Sequence, residues 1–227
     1  MSSTEAPRRR RIPGWVEAVL LVVLALGLSL AIKTFFVQMF FVPSESMEPG
    51  LITNDRILVQ KVTYWTGDVE RGDVVVFEDP GGWLAPPEPL TGLQKVLSTV
   101  GLYPTGGHLV KRVIGVGGDE VRCCDRRDRV TVNGIPLDET DYLPPGVAPS
   151  TKRFRVTVPE GRIWLMGDNR SNSEDSRYHQ DLPGKGTVST DRVVGKVWGI
   201  VWPLGRFEVL DRPDTFAQLE SSESAPR

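Results

Sequence analysis

The feature that most limits this chain is an apolar run, WVEAVLLVVLALGLSLAIKTFFVQMFFV at residues 15–42, set just behind four consecutive arginines at 8–11. Residues 18–32 carry no charge, and Lys33 interrupts one edge before FFVQMFFV resumes. A membrane-spanning helix needs about 20 predominantly apolar residues. Residues 15–37 supply that length if Glu17 and Lys33 sit near opposite interfaces, where long side chains snorkel. Basic residues counted close to the helix ends favour the cytoplasmic side. Arg8 to Arg11 flank the start, whereas no Lys or Arg follows Lys33 until Arg56. The expected orientation is therefore a cytoplasmic N-terminus with everything beyond residue 42 outside. A cleaved secretory signal also starts basic and apolar, but it has a shorter apolar core and small residues before the cut. IKTFFVQMFFVP offers none, so a retained anchor is expected.

Beyond Pro43 the pattern becomes short β-rich runs broken by Gly, Pro, Asn and Asp. Strands are expected within 55–62, 72–78, 108–116, 119–124, 128–137, 153–158, 162–167 and 195–204. Asn133-Gly134 marks a tight hairpin, since both residues tolerate positive φ. The expected fold is mostly β, behind one N-terminal transmembrane helix. One segment, 79–107, reads as an insertion: Leu93, Val96, Leu97 and Val100 recur at the spacing of one helical face between Pro/Gly-rich flanks. That face suits packing on the domain better than the membrane surface, being poor in basic residues. The full division is a basic cytoplasmic segment 1–14, a transmembrane helix 15–37, an extracytoplasmic β domain 38–211 and a disordered, polar tail 212–227.

With 227 residues and a net charge of -2, the chain has room for one ordinary domain plus the anchor and lacks the basic balance of a nucleic-acid binder. Its two histidines, His108 and His179, and one adjacent cysteine pair, Cys123-Cys124, give no zinc spacing. No phosphate loop, no GxSxG elbow and no signature of a Ser-His-Asp triad is present. Serine chemistry does not require histidine, because a lysine serves once its proton is gone. Free lysine has a pKa near 10.4, so working near neutrality needs a shift of about 3 units, obtained by burial away from carboxylates. Lys111 in HLVKRVIGV is the lysine with such an address. Strand alternation puts it on one face with Leu109 and Val113, and Arg112 on the other with Val110. Lys61, Lys95, Lys152, Lys185 and Lys196 read as surface charges.

Four separated stretches, PSESMEPGL (43–51), RGDVVVF (71–77), KRVIGVGGD (111–119) and GDNRSNSEDSR (167–177), together resemble bacterial type I signal peptidases. These are membrane-anchored Ser-Lys endopeptidases whose catalytic domain has a β-fold shared with LexA-like proteins. With the connecting strands the resemblance spans residues 15–204, and the four stretches follow the family's order. It implies Ser46 as nucleophile and Lys111 as general base. Ser44, with the Ser46 backbone N–H, would form the oxyanion hole, where one donor is typically worth about 3 to 4 kcal/mol. Ser173 would hydrogen-bond and orient Lys111, Asp175 and Arg177 would form a supporting ion pair, and Asp168 to Arg170 a supporting turn. An ordinary Asn/Asp/Ser-rich loop stays open for Asp168, Asn169 and Asn172. Val42, Pro43, Met47 and Val110 match positions lining shallow subsites that admit small residues, as in Ala-x-Ala. The family often has Pro where this chain has Gly117, and nothing carries over to 79–107.

The resemblance further implies secretory preproteins and membrane lipid as partners, no metal or cofactor, and a monomer. FFVQMFFV would dip into lipid near the site. Some relatives carry a disulfide near Cys123-Cys124, so a bond and free thiols are both open. Two other readings stand beside this one: a self-cleaving LexA-type hydrolase, disfavoured by the anchor and the lack of a DNA-binding helical domain, and a silent membrane-anchored β-adaptor.

Overall fold

Continuous and alternating apolar runs become strands wherever Gly, Asn or Asp lets the chain turn between them. The computed structural model describes residues 13–61, 68–85, 91–92 and 107–224, with only the backbone of 30–35 and 223–224. After helix α1 (Gly14–Phe35) come strands β1 (Val37–Phe41), β2 (Arg56–Gln60), β3 (Val74–Glu78), β4 (His108–Val116), β5 (Glu120–Cys123), β6 (Val130–Val132), β7 (Ile135–Pro136), β8 (Phe154–Thr157), β9 (Arg162–Met166), β10 (Val188–Ser189), β11 (Val193–Trp202) and β12 (Glu208–Val209), then helix α2 (Asp214–Ser224). The larger antiparallel sheet runs β1-β2-β11-β3-β4-β9-β10, with β12 beside β11. The smaller runs β7-β6-β5-β8.

β3, with the sequence VVVFE, lies between β11 and β4, so both its edges are paired, and Val74 to Phe77 are all buried because both its faces pack on apolar neighbours. Val74 and Val76 pack with Val42, Met47, Ile57 and Val59, while Val75 and Phe77 pack with Val113, Ile163 and Leu165. A third cluster joins Ile114 and Trp164 to Val121, Val130 and Phe154 of the smaller sheet. The β6–β7 turn has the expected chemistry, with φ of 53° at Asn133 and 81° at Gly134. Cys123 and Cys124 are joined as a vicinal disulfide in the third cluster.

Three expectations need correction or restriction. The helix ends at Phe35, and Val37 to Phe41 of FFVQMFFV pair with β2 in unbroken register from Val37–Gln60 to Phe41–Arg56. The expected anchor runs on to residue 37 with FFVQMFFV dipping into lipid, yet aromatic and β-branched side chains suit a sheet edge as well. Among the described residues no helix is long and apolar enough to cross a membrane. For α1 the described side chains end at residue 29. The tail is not wholly disordered either. Asp214–Ser224 is helical, because Phe216 and Leu219, one turn apart, are 0% and 1% exposed in the third cluster. The helix expected within 79–107 lies outside the described residues.

Candidate active site

Ser46 sits in the middle of a single 3-10 turn, Glu45–Met47, whose last residue is pulled into the core beside Val42 and Leu51. The turn closes on itself through Glu48 N–H to Glu45 O at 3.1 Å, and Leu51 N–H donates to Met47 O at 3.0 Å. The loop after β9 grips it from the other side. Asn169 N–H donates to Ser46 O at 3.1 Å, Asn169 Nδ2 to Glu45 O at 3.1 Å, and Asn172 Nδ2 to Glu45 Oε2 at 3.0 Å. Gly167 makes the approach feasible: a Cβ there would overlap both Ser173 and the Ser46 carbonyl. The Asn/Ser-rich loop is thus more than self-contained turn chemistry.

Lys111 comes from β4 at the register position opposite Val75. Pairing with β9 begins one residue later, Arg112 opposite Met166, so the chain leaves β9 at Gly167 beside the lysine. Lys111 is 3% exposed. Its Nζ hydrogen-bonds Ser46 Oγ at 2.6 Å and donates to Val110 O at 3.1 Å. Burial lowers its pKa from 10.5 to about 8; Asp175 and Asp168 pull it back up, and Arg177 pushes it down.

Those two carboxylates are themselves covered. Asp175 receives Arg177 Nε and Nη2, each at 2.8 Å, with Gly167 N–H and the Ser173 hydroxyl, both at 2.9 Å. Burial would raise the Asp175 pKa, but Arg177, Gly167 and Ser173 together hold it below the usual range. Asp168 receives Arg112 Nε at 2.8 Å and Nη2 at 2.7 Å. A third buried pair, Arg170 with Glu139 at 2.6 Å, lies in the same region. The amine therefore faces a hydroxyl and a carbonyl, with each nearby carboxylate engaged by its own guanidinium.

The structure brings Ser46, Lys111 and Ser44 together, the last with Oγ 3.3 Å from Ser46 Oγ. Asp175 and Arg177 form the expected pair. Ser173 does not take the expected role: its hydroxyl donates to Asp175 Oδ2 at 2.9 Å, and the partners of Lys111 Nζ are Ser46 Oγ and Val110 O. Of the residues expected to line substrate subsites, Val42 and Met47 are 3% and 1% exposed and belong to the core. Pro43 is exposed, and Val110 is half-buried against the same cluster. Sequence reasoning gave no role to Arg112, Glu139 or Tyr142. The available signal was alternation along β4, which turns Arg112 to the face opposite Lys111, where a buried guanidinium needs a carboxylate.

Neither histidine hydrogen-bonds the serine: His108 packs on Phe40 at 5.3 Å, and His179 stacks on Trp83 at 4.4 Å with Nδ1 2.9 Å from Asp175 O. Among the described residues no group of three or more His, Cys, Asp or Glu is placed to hold a metal. A cleft of about 540 Å³ lined by Lys61, Val116, Glu160 and Arg162 contains none of the site residues.

The chain is similar to known proteins over most of its length. The sequence model of the family described as signal peptidase, peptidase S26, matches residues 15–202. The probable signal peptidase I of Mycobacterium leprae is 39% identical over 88% of this chain and 80% of its own. The signal peptidase I of Mycobacterium tuberculosis is 39% identical over 92% of this chain and 80% of its own. A crystal structure of a signal peptidase I from Enterococcus faecalis aligns with a TM-score of 0.37 and 24% identity, covering 57% of this chain and 96% of that one. With the family match running from the first turn of α1 to the end of β11, the chain belongs to the signal peptidases of the peptidase S26 family.

Proposed function

We propose that this chain is a membrane-anchored serine endopeptidase that removes N-terminal signal peptides from secretory preproteins after small residues, as in Ala-x-Ala, by a Ser46–Lys111 dyad. The observation that carries the reading is the 2.6 Å contact between Ser46 Oγ and a lysine amine that is 3% exposed and bonded to no carboxylate. Once Nζ is neutral, the serine hydroxyl donates to it. Ser46 Oγ then attacks the scissile carbonyl carbon while Nζ takes the proton. The resulting oxyanion is received by the Ser44 hydroxyl and the Ser46 N–H. Collapse breaks the C–N bond, Nζ returns its proton to the departing amine, and an ester to Ser46 remains. Water attacks that ester with Nζ again accepting the proton, and transfer of that proton to Ser46 Oγ releases the signal peptide. No metal or cofactor enters these steps.

The substrate would lie extended beside residues 108–110 of β4, pairing backbone to backbone, with small side chains toward Pro43 and Val110. The anchored position is read from the sequence, where residues 15–37 give the run of about 20 predominantly apolar residues that a span requires. Arg8 to Arg11 would keep the N-terminus cytoplasmic and place the catalytic domain outside. Met39, Phe41, Trp202, Leu204 and Phe207 leave large apolar surface exposed on β1 and beyond β11, as a face resting on lipid would. A cut site emerging at that surface meets the dyad at high effective concentration, as a monomer.

The test is cleavage of a preprotein bearing an Ala-x-Ala site by detergent-solubilised protein. Ser46→Ala and Lys111→Ala should each lose at least about 10⁴-fold in kcat/KM. The wild-type rate should climb with pH through about 8, because only neutral Lys111 is a base. Undiminished cleavage by either variant, or a climb only near the pKa of free lysine, would sink the mechanism.

A further inference from the structure

Behind the dyad lies a stack of side chains that the Ser-Lys chemistry alone does not call for. Tyr142 is 7% exposed, and its ring lies 4.4 Å from Arg112 Cζ and 5.8 Å from Arg170 Cζ. Its hydroxyl donates to Glu139 Oε1 at 2.7 Å, the same oxygen that accepts from Arg170 Nη2 at 2.6 Å. Phe216 of α2 packs near-parallel to that ring, with centroids 6.2 Å apart. The hydroxyl's need for a partner is met by Glu139 alone, so the arginine over the ring is an additional arrangement.

Arg112 holds both oxygens of Asp168 and donates to Gly72 O at 2.9 Å. A two-pronged grip survives only while guanidinium and carboxylate stay close to coplanar. An aromatic face beneath the guanidinium favours one plane through the cation–π contact. Asp168 in turn precedes Asn169, which holds the Ser46 carbonyl, and its charge is felt by Lys111. We propose that Tyr142 is a positioning residue for the Ser46–Lys111 pair, keeping Arg112 flat against Asp168, and that Phe216 holds Tyr142 in place. This rests on the dyad reading above.

The charged groups around Lys111 are Asp175, Asp168 and Arg177, with Arg112 next to it on β4. Asp175 is held by Arg177, Gly167 and Ser173, which Tyr142 reaches through Arg170, whereas Asp168 is held by Arg112, the guanidinium nearer to the Tyr142 ring, so a change at Tyr142 reaches the amine chiefly through Asp168. Tyr142 itself is faced by Glu139, Arg170 and Arg112, and burial first, then Glu139, keep its phenol protonated.

The experiment compares pH profiles of kcat/KM, on an Ala-x-Ala preprotein with detergent-solubilised full chain, for wild type, Tyr142→Phe, Tyr142→Leu and Phe216→Leu. Tyr142→Phe keeps the ring and should leave the rising limb where it is. Tyr142→Leu removes the ring and should move the limb up by about one pH unit, the low end of what a nearby opposite charge does. That makes the variant about tenfold slower near pH 7 and equal to wild type above about pH 10. Phe216→Leu, a milder cavity, should move it the same way by less and supplies the reading if Tyr142→Leu does not fold. A limb unmoved in the folded leucine variants, with activity lowered equally at every pH or not at all, would overturn the proposal. A wild type with no limb near 8 would instead remove the dyad assignment beneath it.

Discussion

Around one candidate site, this domain buries four cations in two different ways. Arg112, Arg170 and Arg177 are 5%, 0% and 1% exposed, and each sits on a carboxylate, of Asp168, Glu139 and Asp175 respectively. Lys111 is buried to the same degree, but its amine sees a hydroxyl and a carbonyl. Burial alone therefore does not decide the outcome. A guanidinium given an anion stays charged and becomes structural. An amine denied one moves toward neutrality and becomes a base. The three arginines also occupy the carboxylates that would otherwise claim the lysine.

The largest way to break this contrast is to uncover a carboxylate. Arg177→Met should cost about 3–5 kcal/mol in urea unfolding, since it leaves Asp175 buried and unpaired. Where the variant still folds, its activity limb should rise above that of wild type, because Asp175 then pulls on Lys111 unopposed. Next comes Ser44→Ala, which removes one proposed oxyanion donor while leaving the amine's surroundings intact. It should lose about 10²–10³-fold in kcat at unchanged pH dependence, separating it from changes that act on the base.

Lys111→Met should give the opposite sign on stability. Between about pH 8 and 10.5 the unfolded lysine binds a proton that the folded one has shed, so stability rises with pH in that window. Below it, the buried amine costs up to about 3 kcal/mol, from roughly 1.36 kcal/mol per pKa unit. An inactive Lys111→Met protein should therefore unfold later than wild type at pH 7, by up to that amount, and the advantage should vanish near pH 10.5. The smallest effect is expected at Arg155, whose 2.6 Å bond to Glu120 is as short as the buried ones but lies in solvent. Arg155→Ala should change stability by no more than about 1 kcal/mol, and less in high salt.

Much of this was legible because its signals are local. Alternation and apolar runs located the strands, with β4 falling on HLVKRVIGV, and Asn133-Gly134 located a hairpin. The serine and lysine were found because an apolar strand around a lysine is a local pattern, and the four-stretch resemblance gave them roles. Pairings across the fold were not legible: Arg112 meets Asp168 from 56 residues away, and Glu139 meets Arg170 from 31. FFVQMFFV reads from sequence as the end of the anchor, to residue 37, and a surface dipping into lipid, because strand and membrane share the same residues and only β2's register separates them. DTFAQLESSES was read as tail because two apolar residues in a polar run are a weak periodic signal; what makes the helix is the core that receives them.

That closing helix also sets a timetable. Phe216 and Leu219 enter a core otherwise built from β4, β5, β6, β8, β9 and the segment around Tyr142, all of it earlier in the chain. A ribosome adds residues in order and keeps the most recent ones in its tunnel, so the strands are all available before the piece that caps their core. Full assembly of the domain can therefore come only after residue 219 has left the tunnel, and a nascent chain short of that point carries Ser46 and Lys111 without the complete support around them.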